Sequence, residues 1–261
     1  MVAFTGAGHS TASGIPDFRS PDSGLWEKHN PMLVASVWAF RLNPKTFYDW
    51  IRPMADLVLT ARPNLAHEAL ADLEAMGYLR TIITQNIDNL HQRAGSRRVL
   101  ELHGHLREAT CIRCYKVEPI DPVFHNLVRE GHVPRCTCGG VFKPNVILFG
   151  EQLPVRILNE AMAEARRCDL MLVAGSSLTV LSGFRFVRHA HKAGIPVVIV
   201  NRGATRGDEL ATHKVDAGCA PFLTDLADLV GGGTTSAGTS YGQETSRRTE
   251  STMPSAASTS P

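Results

Sequence analysis

No stretch of this sequence approaches the roughly 20 consecutive apolar residues that a membrane-spanning helix needs, and the N-terminus has no charged segment followed by an apolar one of the secretory kind. An excess of charge of one sign is missing as well. With 27 Lys and Arg against 25 Asp and Glu the formal net charge is +2, and no basic run is present that would neutralise a row of phosphates. Direct partnership with nucleic acid or with a membrane is therefore not expected, and the chain reads as a cytoplasmic protein acting as a monomer. Cysteine is scarce. Six in 261 residues are too few for a disulfide scaffold, and four of them cluster, as Cys111, Cys114, Cys136 and Cys138. Cys168 and Cys219 stand alone and read as small buried hydrophobes.

What is present is an ample apolar complement. At 43% hydrophobic the chain can bury a substantial core, as one large domain or two smaller ones. Val2-Ala3-Phe4-Thr5 reads as a short buried strand that runs into the tight turn Gly6-Ala7-Gly8. Between Pro63 and Met76, the residues Leu65, Ala66, Ala69, Leu70, Leu73 and Met76 recur at helical spacing, and Gly77 closes the helix. A strand follows at Thr81–Thr84. Leu170–Ala174 and Pro196–Val200 are continuous apolar runs separated by a helix over Val180–Ala193. Fully apolar strands alternating with helices predict a parallel sheet covered on both faces.

Two stretches, Pro21–Ala61 and Arg107–Asn145, break that rhythm. The expected architecture is α/β: a Rossmann-like parallel sheet from residues 1–20, 62–106 and 146–230, with a second, smaller zinc-binding and helical domain inserted from 21–61 and 107–145. After Val230 apolar residues give way to Gly, Ser, Thr and Pro, so 231–261 is expected to be a disordered tail.

Five segments carry chemistry. A strand ending in Gly6-Ala7-Gly8 lets the backbone approach a pyrophosphate, with a helix N-terminus completing the anion site. A plain tight turn accounts for the same residues, and the third glycine, Gly14, lies too far along for the usual spacing. Gln85-Asn86-Ile87-Asp88 follows a buried strand, where ligands bind in open α/β sheets, although Asn and Asp there also cap helices. His103 in Leu102-His103-Gly104 has the side chain suited to base chemistry near neutrality, in a chain with 11 histidines that dilute the signal. Gly175-Ser176-Ser177 and Asn201-Arg202 follow strands and can hydrogen-bond a ribose or phosphate, or serve as loop residues.

The fifth segment is the most specific. Cys111-x-x-Cys114 and Cys136-x-Cys138 offer four thiolates for a closed tetrahedral zinc site, which leaves no position for water and therefore holds structure together and does no chemistry. The second pair is one residue tighter than usual, and Gly139-Gly140 would let that knuckle close.

Taken in order, these segments resemble the sirtuin family across roughly Val2 to Val230: Gly6-Ala7-Gly8-x-Ser10-x-x-Ser13-Gly14-Ile15-Pro16-Asp17-Phe18-Arg19, then Thr84-Gln85-Asn86-Ile87-Asp88, His103-Gly104, the four cysteines, Gly175-Ser176-Ser177 and Asn201. The resemblance implies NAD-dependent removal of acetyl groups from lysines of proteins or peptides, with nicotinamide and O-acetyl-ADP-ribose as products and Zn2+ in the cysteine site. It implies His103 as the general base acting through the ribose hydroxyls, and Asn86 as its catalytic companion, lining a nicotinamide pocket with Asp88. In the implied sequence the acetyl-lysine oxygen captures the ribose carbon to give an alkylimidate, and acetyl transfer follows.

Gly6, Ala7, Gly8, Ser10, Asp17, Phe18 and Arg19 would form the cofactor loop, with Phe18 shielding the reactive ribose carbon from water. Gln85 would touch the ribose, Gly175, Ser176, Ser177 and Asn201 the phosphates and adenosine ribose, and Ala220 the adenine end. The substrate would add as an extended strand along Val146–Glu151, with Ile147 and Phe149 lining the acyl-lysine tunnel and Gly150 and Glu151 beside them. Protein ADP-ribosylation, or a catalytically silent NAD-binding regulatory module, would share the cofactor; His103, Asn86 and Asp88 argue against silence.

Three departures stand out. His9 replaces the family's usual isoleucine and is expected at the surface near the phosphates. The usual helical lead-in is absent, so a start further upstream is expected. The stretch Gly218-Cys219-Ala220 matches poorly. Members that prefer succinyl-lysine pair a tyrosine with an arginine three residues later; here Tyr48 is followed by Ile51, with Arg52 one step beyond, so acetyl-lysine is expected to be preferred.

Overall fold

The computed structural model of the chain describes residues 1–18 and 24–232. Arg19 and the segment 233–261, which holds nearly all of the expected tail, lie outside the described residues. The strands are β1 (Val2–Thr5), β2 (Thr81–Thr84), β3 (Val99–Glu101), β4 (Gly104–Cys111), β5 (Val117–Pro119), β6 (Phe142–Val146), β7 (Met171–Ala174), β8 (Val197–Val200) and β9 (His213–Val215). The helices are α1 (Leu25–Lys28), α2 (Pro31–Val34), α3 (Val37–Leu42), α4 (Pro44–Thr60), α5 (Leu65–Ala75), α6 (Leu90–Arg93), α7 (Ile120–Glu130), α8 (Val155–Arg167), α9 (Leu181–Lys192) and α10 (Cys219–Gly231).

Six strands form one sheet in the order β3-β2-β1-β7-β8-β9, and every pairing in it is parallel. Successive side chains along each strand take opposite faces of the sheet, and both faces are covered. Phe4, Ile83, Met171, Val173, Val197 and Ile199 pack on one face with Ala161 and Ala165 of α8 and Phe186, Val187 and Ala190 of α9. Ala3, Ile82, Leu172, Ala174 and Val200 pack on the other with Leu70 and Leu73 of α5 and Leu223 and Ala227 of α10. Helices on both faces explain why these strands are apolar throughout. The order of strands reverses between β1 and β7, and that switch point opens a crevice at their carboxyl ends.

A second core draws on both interrupting stretches. Phe40, Phe47, Tyr48 and Ile51 of α3 and α4 meet Leu106, Ala109, Phe124, Leu127 and Phe142, around an antiparallel sheet ordered β5-β4-β6. β4 starts at Gly104, paired with Val146. Residues 104–106 and Val146 therefore go with this smaller sheet, beyond the boundaries read from the sequence, because the cross-strand pairing extends past the cysteine-bearing stretch. α10 likewise carries regular structure to Gly231, one residue into the expected tail, and Gly232 closes it in the left-handed conformation at φ 81°.

Candidate active site and metal centre

A cavity of about 820 Å³ fills the crevice, a volume at the upper end of the range for small-molecule sites. Its wall is assembled from strand ends: Ala7, Gly8 and His9 after β1, Gln85 and Asn86 after β2, His103 after β3, Gly175–Ser177 after β7, and Asn201 and Arg202 after β8. Asp17 and Phe18 also line it, as do Gly218, Cys219, Ala220 and Pro221 at the start of α10. Gly6, Ser10 and Asp88 do not.

The glycines after β1 have a further job beside the one their pattern implied. No helix follows them directly; the chain makes two 3₁₀ turns, Ala7–His9 and Thr11–Ser13. A Cβ on Gly175, which sits at φ 66°, would lie 2.3 Å from the His9 nitrogen, and one on Gly6 would lie 2.8 Å from the Gly175 oxygen. The Gly8 N–H donates to that same oxygen at 2.9 Å. The two strand-end loops thus close directly on one another, which only glycine permits. The helix N-terminus that reaches the cavity belongs instead to α10, whose N-cap Gly218 supplies no side-chain hydrogen bond. Uncapped N–H groups and the dipole of this 13-residue helix make that end a place for an anion. Gly218 and Ala220 give little sequence signal, because a glycine before an apolar helix is common.

Asn86 is held from behind. Its Nδ2 donates to the Gly6 carbonyl at 3.1 Å and to Ser10 Oγ at 3.0 Å, so Oδ1 remains for a ligand. Ser10 Oγ in turn donates to Asp88 Oδ2 at 2.7 Å. The other Asp88 oxygen accepts the Leu90 N–H at 3.0 Å and starts α6, the capping role that the sequence left open. Burial pushes the Asp88 carboxyl up from its ordinary value, while the bonds from Leu90 and Ser10 pull the other way. Ser10 and Asp88 therefore act through Asn86 and not at the cavity surface.

His103 Nδ1 lies 3.0 Å from the Gln85 carbonyl. A carbonyl only accepts, so Nδ1 carries the proton and Nε2 keeps its lone pair. Ser182 Oγ is 3.4 Å from Nε2, a residue the sequence gave no reason to single out because it sits in the first turn of α9. Gln85 accepts from Ser176 Oγ at 3.1 Å through Oε1. Its Nε2 is buried with no acceptor, packed against Gly183 of α9.

His9 is not at the surface. It is 1% exposed, turned under the loop against His67 and His91 at centroid distances of 4.6 and 5.0 Å, because Asn64 Nδ2 grips the His9 carbonyl at 3.0 Å and draws the turn onto α5. Of the lone cysteines, Cys168 is simply buried, whereas Cys219 is buried and also lines the cavity.

The sulfurs of Cys111, Cys114, Cys136 and Cys138 all lie within 4.8 Å of one another. Cys111 and Cys138 are 3.5 Å apart and Cys114 and Cys136 3.6 Å. Zn–S bonds of about 2.3 Å in a tetrahedron require sulfur separations of about 3.8 Å, so the donor set fits zinc. The Arg113 N–H points at Cys111 Sγ from 3.4 Å. Both glycines of the tight knuckle are needed: Gly139 has φ 82°, and a Cβ on Gly140 would stand 2.6 Å from Cys111 Sγ.

A second cleft, of about 490 Å³, runs past Trp38, Arg41, Ile147, Gly150 and Glu151. Phe149, 37% exposed, is beside it but exchanges backbone bonds with Ala35 and Val37, each at 2.9 Å. The amides of Ile147 and Leu148 are also taken, by the His103 carbonyl and the Glu151 carboxylate, and Glu151 pairs with Lys143 at 3.0 Å. An added strand would exchange for these bonds and not fill vacancies. Tyr48, 1% exposed, donates to the Phe142 carbonyl at 2.5 Å and Arg52 to the Val128 carbonyl at 3.0 Å. Tyr48 is committed to the smaller core, and Arg52 is tied to its exposed edge.

The Sir2 family model matches residues 6–182. A protein of Sulfurisphaera tokodaii named NAD-dependent protein deacetylase is 46% identical over 229 residues, which cover 88% of this chain and 90% of that protein. One of Archaeoglobus fulgidus named NAD-dependent protein deacylase 2 is 47% identical over 231 residues, again 88% and 90% of the two chains. A solved Sir2 structure with a deacetylated p53 peptide and 3'-O-acetyl ADP ribose is similar with a TM-score of 0.82 at 40% identity, covering 90% of this chain and 94% of that one.

Proposed function

This chain belongs to the Sir2 family, and from that premise we propose that its crevice removes acetyl groups from protein lysines at the expense of NAD, releasing nicotinamide and O-acetyl-ADP-ribose. The observation that carries the reading is His103 in the crevice wall, with its Nδ1 held 3.0 Å from the Gln85 carbonyl. With Nδ1–H held by the Gln85 carbonyl, Nε2 can take a proton from a hydroxyl in the cavity. Bound NAD supplies the electrophilic ribose carbon and the nicotinamide leaving group. Asn86, clamped by Gly6 and Ser10, offers Oδ1 to the carboxamide of that leaving group. Gln85, in the cavity wall beside His103, lies where the ribose is bound. Phe18 and Asp17 close the cavity against water.

Phosphates are received by the Gly175–Ser177 loop and the first turn of α10, with Asn201 and Ala220 toward the adenosine end. The four cysteines hold one zinc ion in a closed, structural site. Residues 1–20, 62–103 and 147–230 act as the NAD-binding domain and 21–61 with 104–146 as the smaller one, with the shared core of the two interruptions as support. The acetylated peptide adds along Val146–Glu151 between them, with Ile147 and Phe149 against the acyl chain. No described helix is long and apolar enough to cross a membrane. Near-neutral charge and thiols kept for a metal support a place in the cytoplasm without direct nucleic-acid contact.

The test is incubation of the purified chain with NAD and an acetyl-lysine peptide. Equal amounts of nicotinamide and deacetylated peptide are expected. Nicotinamide release with ADP-ribose left on protein, or no turnover at all, would overturn the reading.

A further inference from the structure

Three histidines from three separate elements meet beneath the Gly6–Gly8 turn: His9 from the 3₁₀ turn after β1, His67 from the first turn of α5, and His91 from α6. All are at most 1% exposed, with ring centroids 4.6, 4.9 and 5.0 Å apart. One ring nitrogen from each lies within 4.8 Å of the other two. Both nitrogens of His9 and the Nδ1 of His91 are buried without a hydrogen-bond partner. Unsatisfied polar atoms of this kind are rare in a well-packed interior, and here three of them share one spot.

The hydrogen bonds assign the free lone pairs. Thr5 Oγ1 donates to Thr84 Oγ1 at 2.8 Å, so at 2.9 Å it accepts from His91 Nε2–H, and Nδ1 of that ring is a bare lone pair. His9, with no partner at either nitrogen, has a second lone pair to give. His67 Nδ1 accepts the Asn64 N–H at 3.3 Å, which leaves the proton on Nε2, 3.4 Å from Ser10 Oγ.

We propose that His9, His67 and His91 form a second metal site, which binds one divalent ion of the zinc class through three imidazole nitrogens. Imidazole is the ligand such ions accept, and three of them are a familiar donor set. Metal–nitrogen bonds of about 2.05 Å set tetrahedral edges near about 3.4 Å, so the three rings close the site by moving inward about one ångström. Ligation at His67 Nε2 moves that ring's single proton to Nδ1, at the cost of the bond from the Asn64 N–H, so the ring binds as a neutral imidazole and no proton is released. The positive charge has a buried counterweight: Ser10 Oγ, next to His67, is bonded at 2.7 Å to Asp88. Such an ion ties β1's turn, α5 and α6 together directly under the cavity wall. It is separate from the cysteine site in residues and in donor chemistry.

The full-length, zinc-loaded protein is titrated with Co2+ and followed by visible absorption and by elemental analysis. One equivalent is expected to bind with ligand-field bands and no thiolate-to-metal charge transfer, while the thiolate zinc stays in place. His9→Ile puts an apolar side chain into the same buried position; it is expected to fold, keep one zinc and lose cobalt binding. His91→Phe, a second variant, is expected to lose it as well. Wild-type protein that takes up no metal beyond one thiolate-bound equivalent would overturn the proposal, and so would undiminished cobalt binding by folded His9→Ile or His91→Phe.

Discussion

The cysteine site and the NAD crevice are assembled in opposite ways. Four metal ligands come from two short knuckles, and the geometry of each knuckle is local: a Cys-x-x-Cys turn at the end of β4 and a Cys-x-Cys turn opened by Gly139 and Gly140. The crevice takes its wall from the ends of β1, β2, β3, β7 and β8 and from the start of α10, and no two of these are neighbours in sequence. One site is specified by spacing and completed by an ion; the other is specified by the order of strands in a sheet. The first should therefore fail as a structure, and the second residue by residue, as chemistry on an intact scaffold.

The largest effect expected is at the cysteines. Cys111→Ser removes a buried ligand from a closed set of four, and the sheet β5-β4-β6 has no substitute for the ion that joins its ends. Zinc content should fall to none at that site, and the cooperative thermal transition of the smaller core should vanish, while the circular dichroism of the larger sheet persists. A folded, active Cys111→Ser protein with no zinc in that site would break the comparison at its first term.

His103→Ala is the opposite case, with turnover expected to fall by about 10²–10⁴-fold and the melting temperature held within a degree or two. His103 is half-buried and bonded to one carbonyl, so little packing is lost. Fluorescence titration should show NAD affinity nearly unchanged while kcat drops. A variant that retained most of its kcat, or that lost its fold, would remove His103 from the role of base.

The same contrast decides what could be read without coordinates. The parallel sheet was legible because β1, β2, β7 and β8 are buried on both faces, and their runs carry no polar interruption. The cysteine ligands were legible from spacing alone. Ser182 and Pro221 were not, since a serine in a first helical turn or a proline near a helix start has an ordinary local explanation, and of the amino end of α10 the resemblance offered Ala220 alone. His9 was misread for a physical reason: a histidine in a turn looks solvated until the elements carrying His67 and His91 are brought against it, and nothing local says that they will be. The glycines after β1 were found, but their job of letting two loops touch depends on Gly175, far along the chain.

A smaller effect sharpens the boundary between the two regions. Tyr48 spends its hydroxyl on the Phe142 carbonyl inside the smaller core, Arg52 donates to the Val128 carbonyl at its exposed edge, and Ile51 is buried in that core too. Neither side chain is then available for a carboxylate on the acyl chain, and an unpaired charge in an apolar tunnel is costly. On matched peptides kcat/KM for acetyl-lysine should exceed that for succinyl-lysine by about 10²-fold, corresponding to roughly 2–3 kcal/mol. Equal turnover would mean that Arg52 leaves Val128 when substrate binds.

The finest comparison is between thiols. Those of the knuckles are ligands, whereas Cys219 is a lone thiol at the start of α10, 7% exposed and in the crevice wall. Burial pushes its pKa from 9.0 up to about 11, against a smaller downward pull from Arg202. In the unfolded chain the thiol ionises near 9; in the fold it keeps its proton to about 11. Between these limits the native state binds more protons than the unfolded state, so this group makes stability fall as pH rises, by at most about 1.4 kcal/mol per pH unit. Below the lower limit it contributes no pH dependence. Cys219→Ala removes the group from both states, and the other alkaline titrations cancel in the difference between the two proteins. Urea unfolding of each at steps from about pH 8 to about pH 10.5 should therefore show a gap in stability that shifts in favour of the variant only above about pH 9. A gap that stayed constant across the series would mean that the Cys219 thiol ionises in the fold as readily as in the unfolded chain, with the α10 dipole and Arg202 outweighing its burial.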